Sequence, residues 1–319
     1  MRRLSKSASA LLALLAAGAL AACVPGTPEV SGPSGPAVSP QLWADLTILS
    51  ADDMEGRGAG TPGGERARNY IVSRFEELGI AAPPMGRLQP FTAEGRSHEG
   101  RKTFNGVNIL GLIPGTRVGN RYIVVTAHYD HVGIYGGEIY NGADDNASGV
   151  ATMLALAEEL KRNPPEHSVL FVAFDGEERG LLGAKHFVEA PPFPLEAIAL
   201  NLNFDMTARA ETDGYLWVTG TYQHPTLRPL LEGIGPVGPV SLAFGKDTPQ
   251  DTGSDNWVSA SDHGAFHAAG VPFLYLGVEF HPDYHKPSDD AERITPAVFQ
   301  SATDLSIRSF RALDSGMSR

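Results

Sequence analysis

The stretch YIVVTAHYDHVGIYGGEIYNGADDNASG, residues 122–149, decides how the chain folds. Tyr122 to Thr126 is a hydrophobic, β-branched run of the kind that forms a buried strand, and it ends in His128-Tyr129-Asp130-His131. A Gly-rich loop follows and stops at Gly142-Ala143-Asp144-Asp145-Asn146, just ahead of a helical pattern. Imidazoles and carboxylates gathered where a buried strand stops are what a hard or borderline metal ion needs from a protein. On an extended segment His128 and Asp130 point the same way. Asp130 can then orient the imidazole, as metal-bound histidines usually require.

Working outward, residues 147–162 repeat apolar positions at Val150, Met153, Leu154, Ala157 and Leu160, which predicts a helix ended by Asn163-Pro164-Pro165. Val169 to Phe174 is an all-apolar strand of the doubly covered type, and Asp175-Gly176-Glu177-Glu178 follows at once. A short helix is expected over Gly180–Ala190, then a strand over Ala197–Phe204 ending at Asp205. Further strands are expected at Val107–Ile113, Arg121–Thr126, Tyr215–Thr219 and Pro272–Gly277. Helices are expected near Leu42–Met54, at Glu65–Leu78 and at Pro296–Ala312, with loop at Gly56–Gly64. Ala82–Thr103 reads as surface loop with one edge strand near Leu88–Thr92. Alternating strands and helices predict an α/β fold, a three-layer αβα sandwich around a mixed, mostly parallel central sheet, in one catalytic domain. In such sheets ligands bind beyond the carboxyl ends of the strands, where Asp130, Glu177, Glu178 and Asp205 sit.

At 319 residues and 42% hydrophobic, the chain can bury a sizeable core. Its formal charge of −12 excludes a nucleic-acid partner, since no basic stripe exists to meet phosphates. With one cysteine, Cys23, neither an intrachain disulfide nor a Cys-type zinc site can form. Arg2, Arg3 and Lys6 precede an apolar run, Leu11 to Leu20, too short for a comfortable membrane span. Leu20-Ala21-Ala22-Cys23 closes it and resembles a bacterial lipobox. The expected organisation is a lipoprotein signal peptide (1–22), a lipidated Cys23 with a Pro/Gly/Ser-rich disordered tether (23–40), and a folded domain (41–319). Such a chain is exported and held to the bacterial cell envelope by the lipid on Cys23.

Six segments, taken in order and approximate spacing, resemble the zinc aminopeptidases of peptidase family M28. They are AHYDH (127–131), GADDNASG (142–149), DGEERGLLG (175–183), NFDM (203–206), SDHGAF (261–266) and DYHKPSDD (283–290). ADDMEGRGAGTPG (51–63) resembles the N-terminal segment of bacterial members, so the resemblance runs from Leu42 to the last helix. It implies a site for two Zn2+ ions, with His128 and Asp205 on one, Glu178 and His285 on the other, and Asp145 bridging them. It makes Glu177 the general base and Asp130 the partner of His128, and it implies a cis peptide at Asp145-Asn146. The implied substrates are peptides with a free N-terminus, and Met206 and Tyr284 match positions lining the side-chain pocket. The chemistry agrees: two imidazoles and three carboxylates suit zinc, and a shared carboxylate holds two ions roughly 3.5–4 Å apart.

Each role has a rival. Asp144 in place of Asp145 would leave the other as a helix cap, His131 competes with His128, and the Glu177-Glu178 pair can be a solvated turn. Asp262 and His263 recur near the site in the resemblance without a defined role, and His98, His167, His186, His224, His267 and His281 read as surface or packing residues. Glutaminyl cyclases resemble the same family and use a single zinc to cyclise N-terminal Gln. A non-catalytic envelope binding protein would have lost ligands, and none is lost here. No Gly-x-Ser-x-Gly elbow follows a strand, which removes a serine hydrolase. The short segment between Phe91 and Phe104 leaves no room for a protease-associated insert and predicts an open site.

Overall fold

A computed structural model of the chain describes residues 36–97 and 100–317. The signal segment, Cys23, the tether as far as residue 35, and His98 lie outside the described residues. The helices are α1 (Pro40–Leu49), α2 (Pro62–Glu77), α3 (Gly149–Arg162), α4 (Leu182–Glu189), α5 (Arg228–Leu231), α6 (His263–Ala268) and α7 (Pro296–Met317). The strands are β1 (Leu88–Ser97), β2 (Gly100–Ile113), β3 (Val118–His128), β4 (Gly133–Tyr135), β5 (Glu138–Tyr140), β6 (His167–Phe174), β7 (Ile198–Phe204), β8 (Tyr215–Thr219), β9 (Ser241–Phe244) and β10 (Phe273–Gly277).

Eight strands form one sheet in the order β1-β2-β6-β3-β7-β10-β8-β9, and β4 and β5 make a separate hairpin. The central four, β6, β3, β7 and β10, are mutually parallel, while β2 and β8 run antiparallel to them on either side. All residues of β6 and β7 are buried, as a strand covered on both faces requires. Alternation divides β6 between two cores: Val169, Phe171 and Ala173 pack with α1, α2, α3 and α7 on one face, and Leu170, Val172 and Phe174 with α4 and α6 on the other. The expected αβα sandwich is therefore the fold that forms. Among the described residues no helix is long and apolar enough to cross a membrane.

Local chemistry sets the element ends. Ser39 and Thr61 cap α1 and α2 with their hydroxyls, and each helix opens with proline at its first position. Contacts begin slightly ahead of the helix, where Val38 packs against the core and the Ser39 N–H donates to Gln300 at 2.7 Å. One expectation is corrected at the sheet edge. Strand β1 does not stop near Thr92 but runs to Ser97, and it pairs with β2 from Leu88↔Ile109 to Ser97↔Gly100. The outer half of this hairpin carries Glu94, Arg96, Arg101 and Thr103, so its polarity reads as loop while main-chain pairing holds it as strand. Strand β9 and the short helices α5 and α6 are additions that the apolar pattern does not signal.

Candidate metal centre

The four parallel strands all deliver chemistry to one edge of the sheet. Strand β3 ends at His128, β6 is followed by Glu177 and Glu178, β7 by Asp205, and β10 by the turn that carries His285. Loop 142–149, between β5 and α3, places Asp145 among them.

Two groups of ligand atoms result. His128, Asp145 and Asp205 form one; His131, Asp145 and Glu178 form the other, with His285 beside it. In the first, His128 Nε2 lies 3.4 Å from Asp145 Oδ1 and 3.3 Å from Asp205 Oδ1. In the second, His285 Nε2 lies 3.0 Å from Asp145 Oδ2 and 3.4 Å from Glu178 Oε1. Bonds of about 2.1 Å around a tetrahedral zinc put neighbouring ligand atoms about 3.4 Å apart, so both groups fit. His128 Nε2 and Asp205 Oδ1 are buried and have no hydrogen-bond partner, which a protein avoids unless something else satisfies them. The donor set therefore fits zinc.

The supports of these groups come from several elements. His128 Nδ1 faces the main-chain carbonyl of Asp130 at 3.0 Å, whereas the Asp130 carboxylate is 3.8 Å away. That carboxylate instead accepts the N–H of Glu177 at 2.9 Å. Asp130 thus fixes the imidazole through its backbone and the Glu177 turn through its side chain, which differs from the expected carboxylate–imidazole pair. Asp144 points away from the site: it lies 3.2 Å from His281 and accepts the N–H of Ala208 at 2.8 Å. Of the two aspartates, Asp145 is the one that faces both groups. The Asp145-Asn146 peptide is cis. Asn146 ties the loop to the Asp205 segment, donating to Phe204 O and accepting from Met206 N–H. Asp289 accepts the N–H groups of Asp144 and Asp145.

Arg57, fully buried, lies beneath the same loop. Its five N–H groups meet five main-chain carbonyls: Tyr129 from Nε, Leu49 and Asn141 from Nη1, and Gly142 and Asp145 from Nη2. Burial pulls this guanidinium down to about 10, against the opposing pull of Asp145, Asp289, Asp130 and Glu178.

The electrostatics are those of crowded carboxylates. Burial pushes Glu177 well above the usual carboxylate range, and Glu178, Asp262 and Asp205 add to it while His128 opposes. For Glu178 burial pushes the same way, but His131 and His285 outweigh it and hold the group well below that range. Burial opposes charge on His285 too, yet Asp145 and Glu178 raise it to about 11.

Of the remaining sequence candidates, Met206 and Tyr284 line a small cavity of about 60 Å3 with Trp257, Val278 and Phe280, beside Glu177 and Glu178. Asp262 is buried behind His128 and Asp205 with both carboxylate oxygens unpartnered. His263 stacks on Phe273 and donates from Nε2 to Trp257 O at 2.7 Å. His281, expected as surface or packing, is buried against Asp144. Sequence reasoning weighed His131 only against His128; the chain turns after Asp130, and His131 Nδ1 comes to lie 2.7 Å from Glu178 Oε1 in the other group. Arg57 was missed, because nothing in a Gly-rich segment marks an arginine as buried.

An α/β sheet whose parallel strands bring imidazoles and carboxylates to one edge defines a protein built around a metal-binding cleft. The chain belongs to peptidase family M28, whose model matches residues 108–309. It is 34% identical over 212 residues to Aminopeptidase YwaD of Bacillus subtilis, a match spanning 62% of this chain and 42% of that protein. The chain thus covers less than half the length of that relative. The fold resembles BSAP, a zinc aminopeptidase from Bacillus subtilis, with TM-score 0.64 and 21% identity over 86% of this chain and 95% of that one. It also resembles a glutaminyl cyclase from Porphyromonas gingivalis, with TM-score 0.66 and 17% identity over 86% of this chain and 98% of that one.

Proposed function

We propose that the chain is a zinc metallo-aminopeptidase that hydrolyses N-terminal residues from peptides with two co-catalytic ions. The observation that carries the two-ion reading is the Asp145 carboxylate, whose Oδ1 faces His128 and whose Oδ2 faces His285. On this reading His128 and Asp205 hold one zinc, Glu178 and His285 the other, and Asp145 both. When bound, such ions polarise a carbonyl and make water a better nucleophile near neutral pH. Glu177 is the general base: it lines the same cavity as the proposed ligands without belonging to either group, which suits it to take a proton from water and to pass it to the leaving amine. The Glu177 N–H on Asp130 fixes the turn from which that carboxylate projects. The apolar wall that Met206, Trp257, Phe280 and Tyr284 give this cavity suits an apolar first side chain.

The test is Glu177→Gln, which should keep two zincs per chain by elemental analysis while losing at least about a hundredfold in kcat on leucine p-nitroanilide. Activity retained in a folded, metal-loaded Glu177→Gln protein would refute the role. The likeness to a glutaminyl cyclase makes cyclisation with one zinc the second reading. Pyroglutamate release from a Gln-peptide at one zinc per chain would establish it instead. The lipobox-like Leu20-Ala21-Ala22-Cys23 supports an exported, lipid-anchored protein of the cell envelope, cut before Cys23. Metabolic labelling with palmitate, lost in Cys23→Ser, tests that.

A further inference from the structure

Acidic residues outnumber basic ones 37 to 25 in this chain, yet one cleft reverses the balance. Arg96, Arg101, Arg179 and Lys185 line a cavity of about 400 Å3 beside the β1–β2 hairpin, where Glu94 and Glu189 are the only carboxylates among the described residues. A second cavity of about 240 Å3 shares Arg96, Gly180 and Lys185 with the first and is also lined by Glu177, Glu178 and Ala260. The cationic cleft therefore runs up to the proposed general base. The cavity walled by Trp257, Phe280 and Tyr284 shares Glu177, Glu178 and Ala260 with it.

The hairpin is fixed against the catalytic turn. Arg96 N–H donates to Arg179 O at 2.9 Å, and Gly95 is so close that a Cβ there would meet Leu182 at 2.8 Å and Arg179 Cβ at 2.9 Å. The cations themselves are engaged only with carbonyls and a ring. Lys185 Nζ donates to Gly180 O at 2.8 Å, Arg101 to Glu94 O at 3.4 Å and Arg179 to Val132 O at 3.0 Å, with Arg179 also 5.6 Å from the Phe104 ring centroid. Among the described residues, none of the four forms an ion pair with a carboxylate. Arg96 and Lys185 are exposed and keep donors free for an anion.

With the first side chain in the cavity of Trp257, Phe280 and Tyr284, the cationic cleft that also meets Glu177 is open to the leaving portion of a peptide. We infer that this cleft is a carboxylate-recognising subsite for the leaving portion, which makes short peptides with a nearby C-terminal carboxylate or acidic side chain the favoured substrates. This rests on the aminopeptidase reading with Glu177 as base.

The experiment compares kcat/KM of the zinc-loaded full chain on Leu-Gly-Gly against its C-terminal amide, and on Leu-Asp-amide against Leu-Asn-amide. At low salt at least one of the two ratios should favour the carboxylate roughly tenfold, chiefly through KM, and the arm that does so tells a chain terminus from a side chain. In Arg96→Gln/Lys185→Gln that ratio should fall towards one, and in wild type it should shrink in 0.5 M salt. Both ratios near one in wild type, or a ratio unchanged in the double variant, overturns the subsite while leaving the peptidase intact. Failure to hydrolyse any of the four peptides overturns both readings.

Discussion

Arg57 is a buried cation whose five donors all end on main-chain carbonyls, so its charge is spent on no single carboxylate. It joins the end of α1, the residue after His128 and the loop that carries Asp145, three segments that sequence alone leaves unconnected. Lysine keeps the charge but has three donors on a flexible stem and cannot reproduce the planar fork. Arg57→Lys should therefore cost on the order of 2–4 kcal/mol in urea unfolding and leave buried carbonyls unpaired. A loss below about 0.5 kcal/mol would show that the carbonyls find other partners. His263 gives a pH signature. Burial holds its imidazole down to about 4, against an unfolded value of about 6.5. Between those values the unfolded chain binds more protons, so His263 lowers stability as pH falls from 6.5 to 4 and has no effect above 6.5. The contribution is on the order of 3 kcal/mol, and His263→Gln should flatten the stability–pH curve in that window alone. An unchanged curve would count against a neutral, buried His263.

At the scale of elements, loop 142–149 is the part of the site most sensitive to backbone change. Gly142 has φ +56°, and a Cβ there would stand 2.1 Å from Asp145 O and 2.5 Å from the His131 ring. Asp145 cannot retreat without moving a proposed ligand, and His131 cannot without disturbing its contact with Glu178. Gly142→Ala should lower zinc affinity at least about tenfold in a chelator competition, beyond the roughly 1–2 kcal/mol that a left-handed alanine costs the fold. Wild-type affinity in that variant would show that the loop can relax. This loop was legible because its chemistry is local: its paired aspartates stand beside a strand that ends in His128, among turn residues that let the chain bend there. The strand ends were legible for the same reason, since β6 and β7 announce themselves by unbroken apolar runs and their carboxylates follow directly. The β1–β2 hairpin was not, because its outer residues are held by backbone pairing that leaves no mark on side-chain pattern. The place of His131 beside Glu178 was not legible, because a turn after Asp130, not sequence spacing, decides which group it faces.

For the whole molecule, the decisive fact is that the proposed ligands come from the ends of four different strands and one loop, while the sheet beneath them is buried between two cores. The cores are built from apolar side chains, and the edge of the sheet is where the carboxylates and imidazoles meet. Removing metal should leave the cores intact and weaken that edge as a unit. Binding to the folded state alone stabilises it by about 4 kcal/mol at a thousand times Kd. For a domain of this size that corresponds to a fall in Tm of roughly 10 °C on chelation. Hydrogen exchange should show where the loss is concentrated: residues 128–131, 142–149, 177–180 and 283–289 should lose protection together, while β6 and β7 keep theirs. Zinc added back should restore Tm only when the second equivalent binds, because Asp145 belongs to both groups. Full recovery at one equivalent, or exchange spread evenly through the sheet, would show that the edge is not held by a shared pair of ions.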